Sequence, residues 1–364
     1  MTKNILENIE QAVLIAGGYG VVGQQAAQII RQRHPTLPLL IAGRNPVKAE
    51  PLAHELTHAE TIKLDMEQPR PLNGIKPRAI LAMVNDPHNY LLMDAACEGI
   101  PYVDITRWTE QLQTAVSNVS AVPLQAPVML SSGWMAGVVA VIAVAASRRL
   151  KQVDCIDISI LYSLQDKAGP NSTEYMDRLA TPFAVRLNGE RKQVHPYTDP
   201  RKIAFPGGYT AKVYRFDTPD QLTLPDTTGA KSVSARIAFD DVMATNLLVL
   251  LTRSGIWKLI SGARFTSLRQ AVLYNPGSGA NHEIVIEASG LDKSGLSKTI
   301  RTTILDPKGQ THLTALGTLI QLERLLGLDG APPSLPGITY PDTAPQIDSA
   351  LQVLGNFGVT VTTS

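Results

Sequence analysis

AVLIAGGYGVVGQQAAQIIRQR, residues Ala12 to Arg33, reads as a buried strand, a glycine turn and a helix in immediate succession. Val13-Leu14-Ile15-Ala16 is an apolar run of strand length, closed at once by glycine, as a strand buried on both faces requires. After Gly17-Gly18-Tyr19-Gly20, the residues Val22, Ala26, Ile29 and Ile30 recur at helical spacing. The glycines fall as Gly18-x-Gly20-x-x-Gly23. In a dinucleotide site the first permits a tight turn, the second lets a pyrophosphate approach the backbone, and the third lets helix and strand pack closely. Tyr19, Val21 and Val22 belong to the same candidate site, because the amides and positive dipole end of the new helix face the phosphates. Pro38-Leu39-Leu40-Ile41-Ala42 then supplies a second buried strand, and this βαβ context separates the fingerprint from an ordinary glycine-rich turn.

The second strand ends in Gly43-Arg44-Asn45-Pro46, where an NAD-specific domain carries an acid for the ribose hydroxyls. Arg44, with Asn45 beside it and Lys48 one turn on, suits a 2′-phosphate, which an acid would repel. The expected cofactor is therefore NADP(H). A helix from Pro46 to Thr57 contains His54-Glu55-Leu56-Thr57-His58, a literal HExxH. Lying in a crossover helix with no fitting third ligand, it reads as a solvated face and not a zinc site.

Further strands are expected at Thr61 to Leu64, Ala79 to Val84, Pro101 to Asp104 and Pro127 to Leu130. Asp65 ends the third and could accept from the adenine amino group. Asn85 ends the fourth, across the topological switch point from the first strand and near the nicotinamide end. Helices are expected from His88 to Glu98, through about Val119, and along the apolar run from Trp134 to Ala146. Six strands alternating with helices make a complete dinucleotide-binding domain, residues 1–135. At Lys151 the texture changes. Ile156, Ile158, Ile160 and Tyr162 alternate with polar residues, and similar runs occur at Val213 to Phe216, Val233 to Phe239, Glu283 to Ala288 and Thr299 to Leu305. A hairpin is expected around Ser289 to Gly295, and a last major helix from Thr314 to Leu326. The fold class is thus α/β, a Rossmann doubly wound parallel sheet followed by an α+β domain with a mixed, largely antiparallel sheet over residues 136–330. The Pro- and Gly-rich Ala331 to Thr339 introduces a C-terminal linker, helix and strand, 331–364, expected to pack back on the first domain; the helix carries Ile347, Ala350, Leu351 and Leu354 on one face.

The 364 residues suffice for two cores, and 44% hydrophobic content with 18% charge excludes a disordered chain. A formal charge of +1 gives no concentrated basic surface for nucleic acid or an anionic membrane, so a small-molecule substrate is expected. The N-terminus MTKNILENIEQ lacks the pattern of a secretory signal, and Trp134 to Ala146 is too short to span a bilayer. Cys97 and Cys155 read as buried free thiols in a reducing, cytoplasmic setting. A homodimer is the expected assembly.

These residues together resemble the saccharopine dehydrogenase-like family. The similarity lies in GGYGVVG, the AGRN after the second strand, PYVD and the glycine-framed GWMAG. It continues through LYSLQDKAG, FPGGYTAKVYRFDTPD, SVSARIAF and PGITYPDTAPQIDSALQVLGNFGVTV, nearly the whole length. The resemblance implies an NADP-dependent oxidoreductase with its substrate in the cleft between the domains, forming or cleaving secondary amines between an amino acid and a carbonyl compound. Ala136 stands where the family often has proline, which is expected to loosen the turn.

For hydride transfer to an imine or carbonyl, the protein must position the acceptor and manage one proton. Asp104, at the carboxyl end of a strand, is the candidate to stabilise an iminium, with Tyr162 a candidate proton donor. Arg107 could pair with a substrate carboxylate and Trp108 could wall the pocket. Asp104, Arg107 and Tyr162 are expected to line one interdomain pocket. A short-chain dehydrogenase is disfavoured, since no Tyr-x-x-x-Lys pair stands in a suitable position. The alternative from another class is a non-catalytic NADP(H)-binding sensor or partner-stabilising protein.

Overall fold

The computed structural model describes residues 9–167, 178–260 and 277–364. Residues 1–8 of the polar N-terminal segment and the last two residues of LYSLQDKAG therefore lie outside the described residues. The chain divides into two compact units, Met1–Gly137 with Thr314–Ser349, and Val138–Leu313 with Ala350–Ser364.

The strands are β1 (Val13–Ala16), β2 (Leu39–Gly43), β3 (Ala59–Lys63), β4 (Ala79–Ala82), β5 (Tyr102–Asp104) and β6 (Pro127–Leu130). They continue with β7 (Gln152–Tyr162), β8 (Phe183–Leu187), β9 (Glu190–Val194), β10 (Arg201–Ala204), β11 (Thr210–Arg215) and β12 (Ser232–Phe239). The chain ends with β13 (His282–Leu291), β14 (Ser297–Asp306), β15 (Gly337–Thr339) and β16 (Thr360–Thr363).

In the first unit all pairings are parallel and the order is β15-β6-β5-β4-β1-β2-β3. The order reverses between β1 and β4, so the loops leaving these two neighbours run to opposite sides and open a crevice at their carboxyl ends. β1, β4 and β6 are fully buried, which explains their unbroken apolar sequence. β3 lies at the edge and carries exposed Glu60 and Lys63, charges that blunt an open edge. The seventh strand, β15, pairs Ile338 with Val128 of β6. Sequence reading took Ala331 to Thr339 as a break, because three residues are too few to display a period. The helix Val21–Arg33 buries Ala26, Ala27, Ile29 and Ile30. Its end is tied down by Arg33 and His34, which hold the buried Glu323 at 2.9 and 2.7 Å.

The second unit has a seven-stranded mixed sheet, β10-β11-β12-β7-β13-β14-β16, in which only β12 and β7 run parallel. β13 and β14 form the expected hairpin, paired from His282–Asp306 to Leu291–Ser297. A separate hairpin, β8-β9, was not read from the sequence; four of the five residues of β9 are exposed, so hydrophobic alternation cannot mark it. The helix Val138–Ser147 is buried all round except Ala145. It begins four residues later than the apolar run suggested, because 131–137 forms a turn. Among the described residues no helix is long and apolar enough to cross a membrane.

Candidate nucleotide site and its neighbouring polar network

The turn after β1 is fixed by backbone contacts. Gly17 takes φ 77°, a left-handed conformation natural to glycine. The amides of Gly17 and Gly18 both donate to Ala42 O, at 2.9 and 3.3 Å, clamping the turn to the end of β2. A Cβ on Gly18 would meet Ile15 O at 2.9 Å and Ile41 Cγ2 at 3.0 Å, and one on Gly23 would meet Gly17 O at 2.2 Å. Neither position has room for a side chain. Around Gly20 the space is open apart from Gly17 O at 3.2 Å. Gly20 caps the helix Val21–Arg33 without any side-chain hydrogen bond. An open glycine and a helix start whose amides take no side-chain cap fit, at the switch point, the pyrophosphate of a dinucleotide.

Arg44, Asn45 and Lys48 are exposed after β2, Lys48 on a short 3₁₀ turn spanning Pro46–Ala49 that Asn45 precedes. Asp65, half-buried after β3, accepts the Glu67 amide at 3.2 Å and Gln68 Nε2 at 3.4 Å, a turn-forming job of its own. Asn85 is half-buried in the loop after β4.

Asp104 and Arg107 lie beyond, at the carboxyl end of β5, and the structure brings them together. They are 1% and 2% exposed and ion-paired through Arg107 Nε. Ser132 Oγ donates to Asp104 Oδ1 at 2.6 Å and accepts the Arg107 amide at 3.0 Å. Arg107 also donates to Asn89 Oδ1 and stands 3.6 Å from Asp86 Oδ2. Asp86 in turn accepts the Leu92 amide at 3.0 Å, at the start of the helix Tyr90–Glu98. Burial pushes the Asp86 carboxyl above its ordinary range, against the pull of that amide and of Arg107. Burial alone would lower the pKa of Arg107, but the charges of Asp104, Tyr102 and Asp86 outweigh it and the net shift is upward. The guanidinium expected to take a substrate carboxylate is thus engaged with the protein's own acids. Sequence reading missed Asp86, Asn89 and Ser132; the available signal was polar residues at the carboxyl ends of the three neighbouring strands β4, β5 and β6. Trp108 is half-buried and caps the helix Thr109–Val119.

The turn after β6 holds three successive left-handed residues, Met135 (φ 55°), Ala136 (φ 50°) and Gly137 (φ 81°). Proline, with φ locked near −65°, cannot occupy this Ala136. The turn is therefore not loosened: Ser131 Oγ donates to Ala136 O at 2.8 Å, and a Cβ on Gly137 would meet Pro341 Cγ at 2.2 Å.

Tyr162, at the end of β7, belongs to the second unit. Its hydroxyl accepts from Gln310 Nε2, and its ring packs edge-on against Phe239 and His282. The Gln310 amide donates to Asp166 Oδ2 at 2.8 Å. Burial raises Asp166 to about 6, opposed by the amides of Gln310 and Lys167 and aided by Asp306 and Asp240. Burial alone lowers His282 to about 3.

Two expectations are corrected. The α-helix carrying His54 ends at Leu56, and Thr57 and His58 take φ of 52° and 41°, so the HExxH residues do not share one helix face. Among the described residues no group of three His, Cys, Asp or Glu is placed to hold a metal. Neither cysteine is fully buried: Cys97 is exposed on the outer side of its helix, and Cys155 is half-buried. Burial and Asp157, whose Oδ2 accepts from its Sγ at 3.3 Å, push the Cys155 thiol to about 12.

A Rossmann sheet with a glycine turn at its switch point, joined in sequence to a mixed sheet of seven strands, defines a saccharopine dehydrogenase-like fold. Among the solved structures with a similar fold is saccharopine dehydrogenase (L-Glu forming) from Saccharomyces cerevisiae, at a TM-score of 0.66 and 13% identity over 97% of this chain and 100% of that one. A myo-inositol dehydrogenase from Corynebacterium glutamicum gives a TM-score of 0.43 and 12% identity over 94% and 93% of the two chains, too weak to weigh. No family model matches the chain, and no curated protein matches it in sequence.

Proposed function

We propose that the protein is an NADP(H)-dependent oxidoreductase of the saccharopine dehydrogenase-like type, transferring hydride to an imine or carbonyl of a small, amino-acid-derived substrate. One observation carries the reading: the glycine turn at the switch point is followed, after β2, by exposed Arg44 where a ribose-binding acid would stand. Val21, Val22 and the glycines 18, 20 and 23 would hold the pyrophosphate, Arg44, Asn45 and Lys48 the 2′-phosphate, Asp65 the adenine, and Asn85 the nicotinamide amide. The cofactor supplies the hydride. The protein's part is to bind, orient and manage a proton. Asp104 and Arg107, held by each other and by Ser132 and Asn89, fix the carboxyl ends of β4, β5 and β6 beside that site, with Trp108 as a wall. Tyr162, oriented by Gln310, is the proton donor of the second unit, which we assign to substrate binding and dimerisation. The setting is the cytoplasm.

The engagement of Asp104 with Arg107 favours a second reading, a non-catalytic NADP(H)-binding protein, since it leaves neither side chain uncommitted for chemistry. Two measurements test the proposal. NADPH turnover with paired amino acids and 2-oxo acids separates enzyme from sensor. Arg44→Ala should weaken NADPH binding by tens-fold, the size of a lost charge-assisted phosphate contact, and leave NADH nearly unchanged. Equal losses for the two cofactors in calorimetry would reject the 2′-phosphate assignment.

A further inference from the structure

Tyr19 does more than fill a variable position of the glycine turn. Its ring lies against Gly43, the last residue of β2: a Cβ on Gly43 would stand 2.4 Å from Tyr19 Cε1 and 2.8 Å from both Cζ and the hydroxyl oxygen. Gly43 is not one of the left-handed glycines. What glycine provides there is room for the ring. Past Gly43 the Tyr19 hydroxyl accepts the Asn45 amide at 3.3 Å. The side chain therefore spans from the pyrophosphate turn to the loop after β2, and both ends are held to the same sheet by the bonds from Gly17 and Gly18 to Ala42 O.

That span crosses the place where the adenosine ribose of a dinucleotide lies. An acid there accepts from ribose hydroxyls. Here the loop offers the opposite polarity: a guanidinium at Arg44, and a phenol that has accepted one backbone bond and keeps its O–H to donate. Donors converging without an acid suit an anionic substituent. Resting on the reading that this turn holds NADP(H), we infer that Tyr19 is a specificity-determining residue whose hydroxyl donates to the 2′-phosphate, with Gly43 seating its ring.

Calorimetric titration of the full chain with NADPH and NADH tests this in wild type, Tyr19→Phe and Gly43→Ala. Phenylalanine keeps the ring on Gly43 and removes only the hydroxyl. A hydrogen bond to a charged group corresponds to roughly tenfold or more in affinity, so Tyr19→Phe should weaken NADPH about tenfold and NADH less than about twofold. Gly43→Ala should lose the same discrimination by displacing the ring. Because that variant can disturb folding, 2′-AMP and 5′-AMP titrated into Tyr19→Phe give a second measurement, in which 2′-AMP alone should weaken. If wild type binds NADPH and Tyr19→Phe binds it equally well, or loses both cofactors alike, the role of Tyr19 is overturned and the cofactor reading stands. A wild-type protein that binds no NADPH overturns both.

Discussion

Arg107→Met removes a buried cation of similar length and exposes what the network around it does. The guanidinium is 2% exposed, is bound to Asp104 and Asn89, and lies 3.6 Å from Asp86. Two buried carboxyls, Asp104 and Asp86, would lose the counter-charge that Arg107 supplies. Breaking a buried pair by removing one partner costs about 3–5 kcal/mol. For a unit of this size each kcal/mol lowers the melting temperature by about 2–4 °C, so the first unit should melt roughly 6–20 °C lower at pH 7. The loss should also depend on pH. Burial already holds the Asp86 carboxyl above its ordinary range, and without Arg107 it moves higher still. A carboxyl raised in the folded state contributes stability that is present at low pH and lost as pH rises through its folded pKa. The variant should therefore be penalised less at about pH 4.5 than at pH 7. Thermal unfolding followed by circular dichroism at the two pH values is the assay. A melting temperature within about 2 °C of wild type at pH 7, or an equal loss at both, would refute the account. If Arg107 served only a substrate, KM would change and stability would not.

Restoring the proline of the resembled family should harm this protein. Ala136→Pro forces a residue at φ 50° toward −65° and should destabilise by about 3 kcal/mol or more in urea denaturation; a neutral or stabilising effect would contradict the left-handed turn. Asp166 titrates near 6 in the fold against an ordinary 3.8. Its contribution is present below pH 3.8 and lost as pH rises through 6, so the stability advantage of wild type over Asp166→Asn should shrink by about 2–3 kcal/mol between pH 4 and 7. A pH-independent difference between the two proteins would show that burial does not raise this carboxyl.

The parallel sheet was legible because its strands are buried on both faces. Val13–Ala16 and Pro127–Leu130 emerge at the boundaries read from sequence, each an apolar run that no loop could expose. The glycine turn was legible for a largely local reason: Gly23 is required by contact with Gly17, and Gly18 by contact with Ile15 as well as with Ile41 of the next strand. By itself, then, the sequence determined the Rossmann sheet, the change to a mixed sheet near Lys151 and the place of the nucleotide turn.

Tertiary structure decided what depends on residues far apart in the chain or on backbone angles that composition does not encode. β15 is a three-residue strand made only by its pairing with β6, more than two hundred positions earlier. The helix carrying the HExxH stops before its second histidine because Thr57 and His58 turn left-handed, and Ala136 excludes proline for the same kind of reason. Asp104 looked like a candidate for catalysis and Arg107 for substrate binding because polar residues at strand ends usually face ligands. Only the fold, by setting Asp86, Asn89 and Ser132 around them, shows those charges already neutralised, since a buried ion without a partner costs too much to persist.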